Sequence, residues 1–120
     1  MTMAGKYVDG FVIPIPKKSI PAYRRLALAA SKVWRDHGAL AYHECVGEDL
    51  TAQGLFPRQL KLKRGETVVF AWVVYKSRAH RERVNAKVMK DPRITGVDMS
   101  KVPFDSRRML YGGFTTIVSY

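Results

Sequence analysis

Glu44 and Cys45, preceded by Tyr42 and His43, form the densest run of reactive side chains in this 120-residue chain. If the run is a strand, Tyr42 and Glu44 share one face while His43 and Cys45 share the other. A buried glutamate has a raised pKa and can accept or donate a proton. A cysteine beside a histidine can form an activated thiolate. His43 and Cys45 would stand about 7 Å apart on a strand, which is long for a direct hydrogen bond. The favoured reading of Cys45 is therefore a small buried hydrophobe. For Glu44, an acid–base role and an interface ion pair weigh equally.

Asp9 is the other carboxylate in an apolar setting, lying between Tyr7-Val8 and Gly10-Phe11. An unpaired buried carboxylate is costly, so Asp9 must be paired, exposed or functional. It is read either as a base or ligand acceptor or, by preference, as an intersubunit salt bridge or a partner for a backbone turn. Arg93, Asp105, Arg107, Arg108 and Tyr111 are expected to converge on one rim with Glu44 and Cys45. An arginine fork there would clamp a carboxylate or phosphate; the competing reading is a structural ion-pair network. Asn85 borders the buried stripe of a helix and would orient a ligand or bond to backbone. Trp72 reads as core, although an indole beside a pocket suits an aromatic ligand. The catalytic candidates are thus Asp9, Glu44, Cys45 and Tyr111, and the ligand-binding candidates Trp72, Asn85, Arg93 and Arg108. His37, His43 and His80 lack metal-ligand spacing. Neither a phosphate-binding loop nor a dinucleotide fingerprint is present, so no metal or cofactor is expected.

The elements that must position these residues read as strand, helix, strand, then strand, helix, strand. Tyr7–Ile15 is a strand closed by Pro14 and Pro16. Ser19 caps a helix whose inner stripe is Ile20, Tyr23, Ala27, Ala30, Trp34 and His37, and Gly38 ends it. Leu40–Val46 is the second strand. Gly47–Lys63 is irregular, with Gly54 and Pro57, and ends in a short extended piece, Gln59–Lys63. Thr67–Tyr75 is the third strand. Ser77 caps a second helix to about Lys90, with Val84 and Val88 inward, and Asp91-Pro92 stops it. Arg108–Ser119 is the last strand, with Gly112-Gly113 as a bulge or close backbone approach.

This order predicts one ferredoxin-like βαββαβ domain over residues 1–120, an α+β fold with both helices on one face of an antiparallel sheet. A sheet with one wet face alternates apolar and polar residues. Val68–Tyr75 is instead unbroken, and Tyr7–Ile15 nearly so. Two helices cover one face only, so the other is expected to be covered by a second copy, making a homodimer.

The formal charge is +11, from 21 Lys and Arg against 10 Asp and Glu, and 47% of residues are hydrophobic. That balance excludes a disordered chain. No apolar run approaches the roughly 18 to 20 residues of a membrane span, and Met1–Lys18 does not read as a signal peptide. A single cysteine cannot form an intrachain disulfide, so a reducing, cytoplasmic setting is the default.

Several blocks occur together in one order: Tyr7-Val8-Asp9-Gly10-Phe11, Gly38-Ala39-Leu40, Glu44-Cys45, Val68-Val69-Phe70 with Trp72, Asp91-Pro92-Arg93, Pro103-Phe104-Asp105 and Arg108–Phe114. The combination resembles the YbaA-like family of small bacterial proteins, a domain of unknown function, from Tyr7 to about Val118 and most weakly over Leu50–Gln59. The resemblance implies the dimeric α+β barrel superfamily, in which a ferredoxin-like protomer pairs its sheet with that of its twin. That superfamily includes cofactor-independent monooxygenases, haem-degrading enzymes and ligand-sensing domains. The leading functional expectation is a binder or cofactor-independent enzyme for a small anionic or aromatic molecule, with its pocket between sheet and helices. A non-catalytic structural or regulatory dimer ranks second. A basic RNA- or DNA-binding protein, resting on the charge of Lys76–Arg93, ranks third.

Overall fold

A computed structural model describes residues 6–51 and 55–120. Its backbone is a ladder between two ten-residue strands, β1 (Tyr7–Pro16) and β3 (Glu66–Tyr75), antiparallel from Tyr7↔Tyr75 to Pro16↔Glu66. Between β1 and β3 lie α1 (Ile20–Asp36), β2 (Ala41–Val46) and the single turn α2 (Phe56–Gln59). After β3 come α3 (Arg78–Val88), the single turn α4 (Pro92–Thr95) and β4 (Leu110–Thr115). The sheet order is β2-β3-β1-β4, and every pairing is antiparallel. This is the ferredoxin-like arrangement.

Proline is unusual in a central strand because it cannot donate to the ladder. Pro14 and Pro16 fall beyond Val12, the last β1 residue paired with β4, where the strand has only one neighbour. The chain then enters α1 with Pro21 in the first turn, where no N–H is needed. Gly38, at φ +112°, ends that helix in a conformation only glycine adopts freely. Ser77 Oγ accepts the His80 N–H at 3.1 Å and starts α3.

The odd-numbered residues of β1 and β3 face the helices. Ile13, Ile15, Val69 and Ala71 pack with Tyr23 and Ala27 from the first half of α1, flanked by Phe104 and Met109. Val73 and Tyr75 pack with Val33, Ala39, Val84 and Val88, beneath the second half of α1 and α3. On the opposite face lie Val8, Gly10 and Val12, with Phe70, Trp72, Leu110 and Phe114 on the neighbouring strands. No helix among the described residues packs there, and Phe70, Leu110 and Phe114 are more than half-exposed or close to it. Val8, Gly10, Phe70, Trp72 and Phe114 line an apolar hollow of about 500 Å³ on that face.

Four sequence expectations change. Gln59–Lys63 is not extended: a helical turn runs over Phe56–Gln59 with Pro57 near its start, and the Leu62 N–H returns to the Pro57 carbonyl at 2.9 Å. Gly54 lies outside the described residues. The second helix ends at Val88 rather than Lys90. The last strand is Leu110–Thr115 rather than Arg108–Ser119, because Asp105 caps a 3-10 turn over Ser106–Arg108. Gly112-Gly113 forms no bulge, since the register runs unbroken from Leu110 to Thr115.

The close approach is at Gly113, where a Cβ would collide with the Tyr7 ring and hydroxyl lying across it. Gly113→Ala must therefore displace Tyr7, and overpacking of this kind costs about 1–3 kcal/mol. Urea unfolding should show that loss. A Tyr7→Ala change in the same chain should recover part of it, so the two effects should not add. Parent-like stability of Gly113→Ala would contradict this packing.

Candidate functional site

Two polar clusters sit between sheet and helices. The first lies where α1 crosses β2. Tyr42 and Glu44 point to the helix side, and Tyr23, from the buried stripe of α1, reaches down to meet them. The Tyr23 hydroxyl donates to Glu44 Oε1 at 2.5 Å, and the Tyr42 hydroxyl donates to Oε2 at 2.7 Å. Each carboxylate oxygen thus holds one phenol and keeps lone pairs free. Burial holds both phenols above their ordinary pKa, and the adjacent Glu44 raises them further. This pair of hydrogen bonds forms the floor of a cleft of about 370 Å³ whose walls include Ile20, Ala27, Leu28, Val46 and Val69, with Arg24 and Ser31 also on its lining.

The second cluster surrounds Asp9, which is 7% exposed. Arg81 Nε stands 3.5 Å from Asp9 Oδ1, an ion pair without a hydrogen bond on that nitrogen. The same guanidinium donates to the Tyr7 hydroxyl at 3.0 Å and lies 5.0 Å above the Tyr7 ring, a cation–π contact. Asn85 Oδ1 accepts from Trp34 Nε1 and from the Tyr75 hydroxyl, each at 3.3 Å. Burial raises the Asp9 pKa against the opposing pull of Arg81, and burial with the charge of Asp9 raises Tyr75.

The structure joins some sequence candidates and separates others. Asp9 and Asn85 meet in one cluster, and Asp9 pairs within its own chain. Glu44 lies in the other cluster. Cys45 is exposed rather than a small buried hydrophobe, because β2 is an edge strand; it alternates to the sheet face opposite Glu44 and still borders the same cleft. Trp72 also lies on that opposite face, stacked with His43 at 5.0 Å, so it is not beside Asn85 or Glu44. Tyr111 is 72% exposed on the helix side of β4, stacked on Phe11 at 6.0 Å.

The expected rim does not form, because β4 and β2 occupy opposite edges of the sheet. Arg93 binds Asp91 through two nitrogens and reaches Asp36 at 2.8 Å, tying α4 to the end of α1. Those bonds and the His37 contact hold the Asp91 carboxyl well below the usual range. Arg108 forks onto both oxygens of Glu66, at 2.7 and 3.0 Å. Both forks are therefore filled by carboxylates of this chain. Asp105 pairs with Arg107, its neighbour by two residues.

Sequence reasoning missed Arg81, which it counted with the surface cations. Its spacing to Val84 and Val88, three and seven residues on, places it on the buried side of α3 and could have revealed it. Tyr23 stood on the inner stripe of α1, but nothing in the sequence showed that it meets β2.

A family model described as "Protein of unknown function (DUF1428)" matches residues 6–106. The "Uncharacterized protein YbaA" of Escherichia coli strain K12 is 40% identical over 115 residues, covering 94% of this chain and 97% of that protein. The YbaA of Shigella flexneri matches to the same extent. Among solved structures, the de novo designed protein Foldit4 aligns over 92% of this chain and 96% of its own, with a TM-score of 0.45 and 12% identity.

The buried phenols give an alkaline test. Tyr23, Tyr42 and Tyr75 bind protons more tightly in the folded chain than in the unfolded one, so above about pH 10 the unfolded state holds fewer protons and stability falls as pH rises. Spectrophotometric titration should leave at least three of the six tyrosines un-ionised until the chain unfolds. Reversible ionisation of all six with the fold intact would contradict the burial of these hydroxyls.

Proposed function

The chain belongs to the DUF1428 family, and we propose that it binds a small molecule in the α1–β2 cleft, with Glu44 as the anchoring acceptor. The observation that carries this reading is the Glu44 carboxylate on the floor of that cleft, each oxygen oriented by one tyrosine hydroxyl. Fixed polar groups in an otherwise apolar hollow are what orient a ligand. The free lone pairs of Glu44 call for a ligand N–H or O–H, and the Ile20, Leu28 and Val46 walls call for an apolar body. An anionic ligand would have to approach the Glu44 carboxylate, with Arg24 the one cation on the lining to offset it, and the Arg93 and Arg108 forks are filled elsewhere. Among the described groups, Glu44 is the one that could accept a proton from a molecule bound there, so it would be the base in any reaction at this site.

Fragment screening by amide chemical-shift mapping tests the proposal, using aryl and alkyl amines and phenols as probes. Shifts should concentrate on Ile20–Ser31 and Tyr42–Val46. Glu44→Gln, which keeps the shape but removes the charge, should weaken amine binding at least tenfold. Tyr23→Phe should weaken it less while leaving the fold intact. Shifts confined to the opposite sheet face, or amine binding unchanged in Glu44→Gln, would refute the assignment.

The uncovered sheet face supports a homodimer as the working unit. An apolar surface including half-exposed Phe70, Leu110 and Phe114 is costly to leave in water. A second copy brings the matching apolar face by symmetry. Light scattering at micromolar concentration should give about 27 kDa, twice the 13.6 kDa chain. Phe70→Asp with Phe114→Asp should shift it to the monomer, whereas a parent chain that runs as a monomer would remove the reading.

A further inference from the structure

The excess positive charge has a definite address. Among the described residues, seven of the 10 carboxylates form ion pairs, and these engage five of the 21 Lys and Arg, namely Arg81, Arg93, Lys101, Arg107 and Arg108. Lys76 precedes the N-cap Ser77, Arg83 and Lys87 share one face of α3 at a spacing of four, and Lys90 follows in the turn after the helix, so the four are strung along α3 as one row. Among the described residues none of the four has a carboxylate within 4.0 Å. His80 falls in the same row and senses their field. Burial, then Lys76, Arg83 and Lys87, hold its imidazole below the ordinary pKa. Its Nδ1 accepts the Lys76 backbone N–H at 2.9 Å, which fixes the ring and the start of the helix beneath the row.

The chemistry around the row narrows the partner. The other exposed residues of the segment are Arg78, Ala79, Glu82 and Ala86, with Met89 the one exposed large apolar side chain there. A helix that enters a lipid surface needs a continuous apolar face, and none is free here. Readers of unpaired bases use aromatic platforms, and the row carries none. What remains is a line of cations along an 11-residue helix, about 16 Å at 1.5 Å per residue, with Arg83 and Lys87 on the helix and Lys76 and Lys90 just beyond its two ends. A double helix presents phosphates at regular spacing over that length and needs only such a line of cations to bind.

We infer that the Lys76–Arg83–Lys87–Lys90 row is a docking surface for double-stranded nucleic acid, engaged through phosphates and without reading sequence. The inference is independent of the α1–β2 cleft, because the row lies on the outside of α3 and shares no residue with the cleft lining.

A chain of charge +11 adheres weakly to any polyanion, so the test must separate the row from net charge. The probe is a fluorescein-labelled 20-base-pair DNA duplex, read by anisotropy from about 30 to 200 mM KCl. Binding should fall with salt with a log–log slope of about −3.6, or −0.9 for each of four phosphate contacts. Arg83→Ala/Lys87→Ala/Lys90→Ala should lose at least tenfold in affinity at 50 mM and flatten the slope by about 2.7. The control of equal charge is Lys17→Ala/Lys18→Ala/Arg64→Ala. These residues flank the Pro16↔Glu66 pair, at the other end of the ladder from Tyr75 and α3. The control should bind within about twofold of the parent. Circular dichroism checks the fold of each variant, and the single change Lys87→Glu replaces the triple if that chain does not fold. Equal losses in the two triples, no binding at 30 mM, or tighter binding to phosphatidylserine vesicles than to the duplex would each overturn the inference.

Discussion

The ladder between β1 and β3 is the constraint on which the rest depends. Ten consecutive pairs place Ile13, Ile15, Val69, Ala71 and Val73 on one side and Val8, Val12, Phe70 and Trp72 on the other. A one-residue slip would exchange these sets and turn Asp9 and Thr67 outward. Because both sides are apolar, the ladder gains from cover on each. α1 and α3 provide one cover, and their positions then decide which polar groups are trapped beneath them. Glu44 is held under the first half of α1, where Tyr23 can reach it. Asp9 is held at the α3 end of the ladder, where Arg81, Tyr75 and Asn85 surround it.

The two carboxylates illustrate different solutions to one problem. Asp9 is almost wholly buried and faces a guanidinium at 3.5 Å that carries no hydrogen bond on the nearest nitrogen, so its desolvation is only partly compensated. Glu44 sits at an edge strand, half-buried, with a hydroxyl on each oxygen and an open cleft beside it. The first arrangement fixes the second helix against the sheet through Tyr7 and Gly113. The second leaves acceptor capacity directed into a space that a small molecule can enter. Position on the sheet therefore separates a structural carboxylate from an accessible one, although both point to the helix side.

The strands and helices were legible because their apolar spacing is regular and their caps are chemical: Ser77, Gly38, Asp91-Pro92. The pairing of faces followed from alternation, so Tyr42 with Glu44, and Trp72 away from both, could be deduced once β2 and β3 were placed. What the sequence did not carry was lateral position. Nothing local shows that β2 and β4 are opposite edges, and that fact separates Tyr111 and Arg108 from Glu44. Nor does local pattern show that Arg93 and Arg108 meet Asp91, Asp36 and Glu66, contacts spanning two to 57 residues of chain. The charge of Arg81 concealed its place on the buried side of α3.

The distribution of charge follows from the same packing. Carboxylates are short and sit at caps, turns and strand faces, where backbone N–H groups and arginine forks consume them: Asp91 and Asp105 each cap a turn and bind an arginine two residues on. Lysines and the remaining arginines have long stems that keep their heads in water, so helix exteriors accumulate them without cost to the core. Carboxylates are therefore mostly paired, while the exposed surface carries the unpaired excess of lysine and arginine. Glu44 acts at contact range on whatever enters its open cleft, while the row on α3 acts on the surroundings at a range set by salt. One packing scheme thus yields two chemically distinct surfaces, a short-range acceptor in a cleft and a long-range cationic line on the opposite flank of the helical layer.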